Sequence, residues 1–171
     1  MHCSPIHPAG LSADELLARC DTTFLRRSGP GGQHRNKVAT AVVLVDRPTG
    51  VRAEANERRS QSENRAVALF RLRVQLALNV RGAREPNEAP SRLWQSRIVG
   101  GRIGVSPSHD DFPTLLAEAL DVLAACQFEP KRAGETLGCS GSQLVKFLKH
   151  EPRALLQVNA ARSHGGLHPL Q

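Results

Sequence analysis

The stretch Ser28-Gly29-Pro30-Gly31-Gly32-Gln33-His34-Arg35-Asn36-Lys37 constrains this chain more than any other. Three of the four positions from Gly29 to Gly32 are glycine, and the fourth is proline. Glycine is a poor helix former and proline has no amide donor, so the segment cannot be helical. It serves no hydrophobic core. It offers bare backbone N–H groups, access to φ > 0, and one polar side chain, Gln33, at its tip. The rest of the chain must frame and present it.

The flanks supply the frame. Residues 22–27 read as a strand, with β-branched Thr22 and Thr23 and with Phe24 and Leu25 on opposite faces. Residues 39–46 are a second strand with an unbroken run from Val42 to Val45. Arg47-Pro48-Thr49-Gly50 is a turn signal. Residues 51–57 alternate, with Val51, Ala53 and Ala55 on one face and Arg52, Glu54 and Asn56 on the other. Ser12-Ala13-Asp14-Glu15 and Ser60-Gln61-Ser62-Glu63 are capping boxes. The first opens a short helix to about Cys20, and the second opens the longest helix, to about Val80. That helix has a broad apolar face built on Ala66, Leu69, Leu72 and Leu76 with Val67, Phe70, Val74 and Leu78. The expected fold class is α+β, with a small antiparallel sheet of three to four strands, a long helix packed on one face, and a protruding glycine loop.

Beyond this unit, residues 81–110 are punctuated by Gly82, Pro86, Pro90, Gly100, Gly101, Gly104 and Pro107 and read as a basic linker. Residues 111–163 read as a small all-α unit. Its first helix is capped by Asp110 or Asp111 and has Pro113 in its first turn. A second runs from Pro130 to Leu137 and is broken by Gly138. A third follows a capping box at Ser140-Gly141-Ser142-Gln143, and a last one begins at Pro152. Residues 1–10 are expected to be disordered and residues 164–171 to be a mobile tail. The expected domains are therefore 1–80, a linker 81–110, and a helical unit 111–163.

Charge bounds the partner. The net charge is +7 and the pI about 10.1, which favours a polyanion. Residues 1–80 carry 12 Lys/Arg against 7 Asp/Glu, whereas residues 111–171 carry six of each. The basic excess thus travels with the glycine loop. Cys3, Cys20, Cys126 and Cys139 are scattered without metal-binding spacing. His2, Cys3 and His7 are read as part of a frayed terminus rather than a metal site, because a structural site needs four ligands. No metal and no cofactor is expected. No apolar run reaches the roughly 18–20 residues of a membrane span, so neither a membrane partner nor a targeting segment is expected, and the chain is expected in the cytoplasm.

Residues 27–37, Arg-Ser-Gly-Pro-Gly-Gly-Gln-His-Arg-Asn-Lys, resemble the signature of the bacterial-type class I peptide chain release factors. So do Arg47-Pro48-Thr49-Gly50-Val51 and Glu57-Arg58-Arg59-Ser60-Gln61-Ser62-Glu63-Asn64-Arg65-Ala66. Three motifs in the family's order and spacing are specific where a lone Gly-Gly-Gln is not. The resemblance covers about residues 20–80. It implies a ribosome-dependent hydrolase that cleaves the ester between nascent peptide and tRNA. The implied partners are the large ribosomal subunit, its rRNA and the P-site peptidyl-tRNA. The implied catalytic residues are Gly31, Gly32 and Gln33, with the Gln33 backbone N–H stabilising the developing charge. Arg26, Arg27, Arg35, Lys37, Arg58, Arg59 and Arg65 are the candidates for neutralising RNA phosphates, and Asn36, which can order the loop, is grouped with them. The chain is expected to be monomeric off the ribosome.

Only 30 residues precede Gly31, which leaves no room there for a codon-reading domain. The chain therefore resembles the short, codon-independent members that rescue stalled ribosomes. Their strongly basic C-terminal tail has no counterpart in residues 111–171. Instead, Ala133, Gly134, Leu137, Gly138, Cys139, Ser140, Leu144 and Phe147 resemble a helix-turn-helix, with Gly138 at the turn. Two other readings stand beside the hydrolase: a non-catalytic ribosome- or RNA-binding protein, and a DNA-binding regulator acting through the C-terminal helices. The intact Gly31-Gly32-Gln33 weighs against the first, and the neutral charge of the helices against the second.

Overall fold

The Ser12 side chain accepts the Glu15 amide, and the Glu15 carboxylate accepts the Ser12 amide at 3.0 Å, opening α1 (Ala13–Ala18). In this computed structural model, residues 6–26 and 39–171 are described. The fold class is α+β. Pro8–Val80 form one compact unit, and Arg81–Gln171 with His7 form the other.

In the first unit α1 leads into β1 (Cys20–Leu25), followed by β2 (Ala41–Asp46), β3 (Arg52–Ala55) and α2 (Gln61–Asn79). The sheet is antiparallel in the order β1-β2-β3. The central strand β2 is buried almost throughout, as its unbroken Val-Val-Leu-Val run requires. On β3, Ala53 and Ala55 face inward while Arg52 is exposed, as its alternation predicts.

The turn after β2 is organised by Asp46. Its carboxylate is wholly buried, and Arg19 grips it with Nε at 2.5 Å and a second guanidinium nitrogen at 3.0 Å. Thr49 donates its hydroxyl to the same carboxylate. Arg47 reaches the other way, donating to the carbonyls of Ala18 at 2.9 Å and Cys20 at 3.1 Å. A buried carboxylate is tolerable only with such complete pairing. This end of the sheet is thereby fastened to the last turn of α1.

The inward face of α2 is Asn64, Ala68, Leu72, Val74, Leu76, Ala77 and Leu78. It is rotated from the expected face: Ala66 is exposed, and Leu69, Val67 and Phe70 are only half-buried. The rotation brings a polar residue, Asn64, inside.

The second unit contains α3 (Arg92–Arg97), the hairpin β4 (Ile98–Val99) and β5 (Arg102–Ile103), and helices α4 (Phe112–Ala125), α5 (Pro130–Leu137), α6 (Gly141–Leu148) and α7 (Pro152–His164). The hairpin turns through Gly100 and Gly101, both at positive φ, as a two-residue connection demands. Residues 81–110, expected to be a linker, cluster with the C-terminal helices. Trp94 explains why. Its side chain is wholly buried, its indole N–H donates to the Leu137 carbonyl at 2.8 Å, and its ring meets Phe147 edge-on at 5.8 Å.

Two acids on α4 hold the segment leading to α3. Glu118 accepts from Arg84 at 3.2 Å and from the Ser91 amide at 2.7 Å, while Asp121 accepts from the Gly82 amide at 3.0 Å. Burial pushes the Asp121 carboxyl above the usual aspartate range, against the opposing pull of His7, the Gly82 amide and Arg81. Asp111 sits at the N-cap of α4 but does not cap it, because Arg97 holds its carboxylate.

The C-terminal residues, expected to be mobile, hydrogen-bond back onto α7. Arg162 donates to the His168 carbonyl at 2.8 Å, and Asn159 accepts the Leu170 amide at 2.7 Å. No helix among the described residues is long and apolar enough to cross a membrane.

Candidate functional site

The register of the sheet fixes where the glycine-rich segment leaves and returns. β1 and β2 pair from Cys20 opposite Asp46 to Leu25 opposite Ala41. Arg26 and Thr40 therefore stand side by side at one end of the sheet. β3 ends there too, since Val42 lies opposite Ala55. Residues 27–38 lie outside the described residues, and with them Arg27, Gly31, Gly32, Gln33, Arg35, Asn36 and Lys37. The remaining sequence candidates, Arg26, Arg58, Arg59 and Arg65, are described and all exposed.

The return foot of the segment is held by two side chains from the first turn of α2. Gln61 donates its amide to the Ala39 carbonyl. Asn64, fully buried, donates to the Thr40 carbonyl at 2.7 Å and to the Arg58 carbonyl at 2.9 Å. Its own oxygen accepts the Arg58 amide at 2.9 Å. Asn64 thus ties the foot of the loop to the turn that carries Arg58 and Arg59, and the full satisfaction of its amide is what permits its burial. Ser60 caps the helix from one side only, accepting the Glu63 amide. At Ser140 the same one-sided arrangement holds with Gln143. Neither motif closes into the reciprocal box formed at Ser12.

Sequence reasoning placed Gln61 and Asn64 inside a motif but gave them no role. A usable signal exists for Asn64. It is spaced i, i+4, i+8 with Ala68 and Leu72, so it falls on the buried stripe, where a polar side chain must find partners.

Electrostatics separates the arginines of this end from the others. Arg19, Arg47, Arg52 and Arg71 are each paired with an acid. Arg26, Arg58, Arg59 and Arg65 form no ion pair among the described residues. The nearest acid in sequence to Arg58, Glu57, is held by Arg71 at 2.6 Å. Partial burial works to raise its pKa, but the amides of Glu57 and Asn56 and the Arg71 guanidinium outweigh it and keep the carboxyl below its usual range. Glu57 is therefore ionised and turned toward Arg71, leaving the four arginines uncompensated. Four exposed guanidinium groups around the base of one loop attract phosphates.

Beside them lies a shallow groove of about 410 Å³ lined by Leu17, Phe24, Gln61, Arg65, Ala66 and Leu69. Phe24 is 45% exposed in it, an unusual setting for a strand phenylalanine. The thiol of Cys20, the first residue of β1, lies at the other end of the sheet, and burial pushes its pKa up, which disfavours the thiolate. Among the described residues, no group of three or more His, Cys, Asp or Glu side chains is gathered to hold a metal ion. The arrangement is a pedestal: it fixes the ends of a glycine-rich segment and surrounds its base with cations.

Comparison with known proteins agrees with this picture. The family model described as the RF-1 domain matches residues 17–102, which is half of the chain. Peptide chain release factor 1 of Delftia acidovorans (strain DSM 14801 / SPH-1) is 47% identical over 87 residues, 51% of this chain and 22% of that protein. The protein of the same name from Xylella fastidiosa (strain 9a5c) is 41% identical over 90 residues, 53% of this chain and 22% of that protein. Peptide chain release factor PrfB1, chloroplastic, of Arabidopsis thaliana is 48% identical over 56 residues, covering 33% of this chain and 12% of its own length. The match spans about a fifth of the length of the curated bacterial relatives. No solved structure matches.

Proposed function

This chain belongs to the RF-1 domain family, and on that premise we propose that it hydrolyses the peptidyl-tRNA ester on the ribosome without reading a codon, releasing peptides from stalled complexes. Water attacks the ester carbonyl, and negative charge builds on the carbonyl oxygen and on the departing tRNA 3′-oxygen. The backbone N–H of Gln33 donates to that charge, a contribution worth ~2.7–4 kcal/mol per donor in other enzymes. Gly31 and Gly32 let the backbone approach closely, where a Cβ would intrude. Arg26, Arg58, Arg59 and Arg65, together with Arg27, Arg35, Asn36 and Lys37, hold the base of the loop against rRNA and tRNA phosphates. The ribosome supplies the remainder of the active site, and the reaction takes place in the compartment that holds it, the cytoplasm.

One observation carries the reading: the Gly-Pro-Gly-Gly-Gln segment lies within the part of the chain matched to the RF-1 domain, between two strand ends near which Arg26, Arg58, Arg59 and Arg65 are exposed and form no ion pair among the described residues. The codon-independent form is the finer part of the proposal, and the three decoding states compared below separate it from release at stop codons. The test is peptide release from ribosomes carrying a labelled peptidyl-tRNA with a stop codon, a sense codon or no mRNA in the decoding site. Similar rates in all three support the proposal. Release only at stop codons would remove the codon-independent part, and no release at saturating protein would remove the activity itself.

A further inference from the structure

We infer that the α5–α6 pair is a docking surface for the phosphate backbone of double-helical RNA, formed by Lys131, Lys146 and Lys149. The inference rests on the ribosomal reading above and supplies a second contact, on the other of the two units.

The helix pair is built to present α6. Three residues, Gly138 to Ser140, separate α5 from α6, and Gly138 takes the left-handed conformation at φ 71° that ends α5. At the corner the backbones touch. A Cβ on Gly134 would lie 2.8 Å from the Cys139 carbonyl oxygen and from the Gly141 nitrogen, and one on Gly141 would lie 3.0 Å from the Pro130 backbone. Such closeness fixes the angle between the helices. Leu144, Phe147 and Leu148 are buried, which anchors the inner side of α6. The outer side exposes Ser142, Lys146 and Lys149, spaced i, i+4, i+7 and so aligned in one stripe.

That stripe forms one wall of an open groove of about 830 Å³, and Lys131 of α5 completes the cationic lining. No Asp or Glu side chain lines it. The chain contains only four lysines among its 23 cationic residues, and three of the four meet here. Four arginines of the same unit, Arg81, Arg84, Arg97 and Arg153, each pair with an acid, whereas exposed Arg92, Arg102 and Arg132 form no ion pair among the described residues and lie outside the groove lining. Lys131, Lys146 and Lys149 form no ion pair among the described residues. Ion pairing inside the fold therefore does not explain them, and the even overall charge of residues 111–171 hides a local positive face.

The side chains select the polyanion. Lysine is a point charge on a flexible stem, suited to phosphates, whereas base edges are read by the planar groups of Arg, Asn and Gln. The stripe offers two lysines and a serine hydroxyl, and Gln171 is the single planar amide in the groove lining, against three lysines. A-form RNA is recognised mainly through phosphates and 2′-hydroxyls, because side chains cannot read its deep, narrow major groove. Cations and one hydroxyl on a convex helix match that chemistry better than they match sequence reading in duplex DNA.

The test uses the full chain and a variant with Lys131→Gln, Lys146→Gln and Lys149→Gln, with Arg102→Gln as a charge control on exposed β5. Binding to a 20-base-pair RNA duplex, the same-sequence DNA duplex and the single-stranded RNA is measured by fluorescence anisotropy across salt. The inference expects tightest binding to duplex RNA, at least a tenfold loss in the triple variant with an unchanged melting curve, and a salt slope shallower by about three. In peptide release, it expects the triple variant to need more protein for half-maximal rate while reaching the same maximum. Equal duplex-RNA binding by wild type and triple variant would overturn it, as would an equal loss in Arg102→Gln. Tighter binding to duplex DNA or to the single strand would overturn the choice of partner. Absence of release with duplex-RNA binding intact and lysine-dependent would defeat the hydrolase reading alone.

Discussion

Asn64 donates a hydrogen bond to the carbonyl of Thr40 at 2.7 Å, joining the first turn of α2 to the return foot of the glycine-rich segment. The same amide also closes on Arg58. One buried side chain therefore sets the position of both the loop base and the adjacent arginine turn.

Replacing it should damage both stability and function. Asn64→Ala leaves the Thr40 and Arg58 carbonyls without their donor, and a buried group left unsatisfied costs roughly 1–3 kcal/mol. Urea denaturation should show a lower midpoint at an unchanged slope. Peptide release should fall at temperatures where the variant remains folded. Full release activity in a folded Asn64→Ala protein would show that the pedestal does not position the loop.

Gln33 offers a sharper test of chemistry. Gln33→Ala keeps the backbone N–H, whereas Gln33→Pro removes it. If that N–H stabilises the developing charge, the proline variant should lose roughly 10²–10³-fold in release rate and the alanine variant much less. Both should still co-sediment with ribosomes. Comparable rates in the two variants would move the catalytic role from the backbone to the side chain.

The corner between α5 and α6 should tolerate nothing larger than glycine. Gly134→Ala places a methyl group against backbone atoms of Cys139 and Gly141, which cannot rotate away. Overpacking of this kind costs roughly 1–3 kcal/mol. Thermal melting should fall, and amide exchange should accelerate in α5 and α6 before it does in the sheet. A wild-type melting curve for the variant would mean that the corner is looser than its geometry indicates.

Acid should separate one ion pair from the rest. Hydrogen bonding from Arg153, partly opposed by burial, holds the Glu151 carboxyl below the usual glutamate range. A depressed folded-state pKa stabilises the fold above the unfolded value, and that stability is lost as pH falls through the folded value. Arg153→Gln should therefore lower the melting temperature at neutral pH. The gap from wild type should close as the pH drops below the usual glutamate range. A gap that stayed constant down to strongly acidic pH would show that Arg153 acts by packing rather than by charge.

Much of this fold could be read directly from residues with special backbone demands. Pro130 and Gly138 bracket α5 as expected, and β1 to β3 fall within two residues of their predicted starts and ends. The inward face of α2 was harder to locate. Apolar spacing placed Leu72, Val74, Leu76 and Leu78 correctly but favoured Ala66 and Leu69 in the first turns, where the buried positions are Asn64, satisfied by distant carbonyls, and Ala68. The packing of residues 81–110 was less legible for a related reason. Their glycines and prolines are local signals, whereas Trp94 and the partners of Glu118 and Asp121 act over 27 to 43 positions. Of the candidate site, the sequence marks the arginines only as candidates, and it does not show the pairing in which Arg71 holds Glu57 while Arg26, Arg58, Arg59 and Arg65 form no ion pair among the described residues.

The strand pairing that ends at Leu25 and Ala41 also separates what the loop does from what the sheet needs. The described ladder runs from Cys20 to Leu25 and from Ala41 to Asp46, and the carbonyls of Ala39 and Thr40 at the return foot are held from α2. The segment is thus a cassette. Its sequence can answer to the chemistry at its tip alone, and the same frame could carry a different loop, provided that it enters at Arg26 and leaves at Ala39.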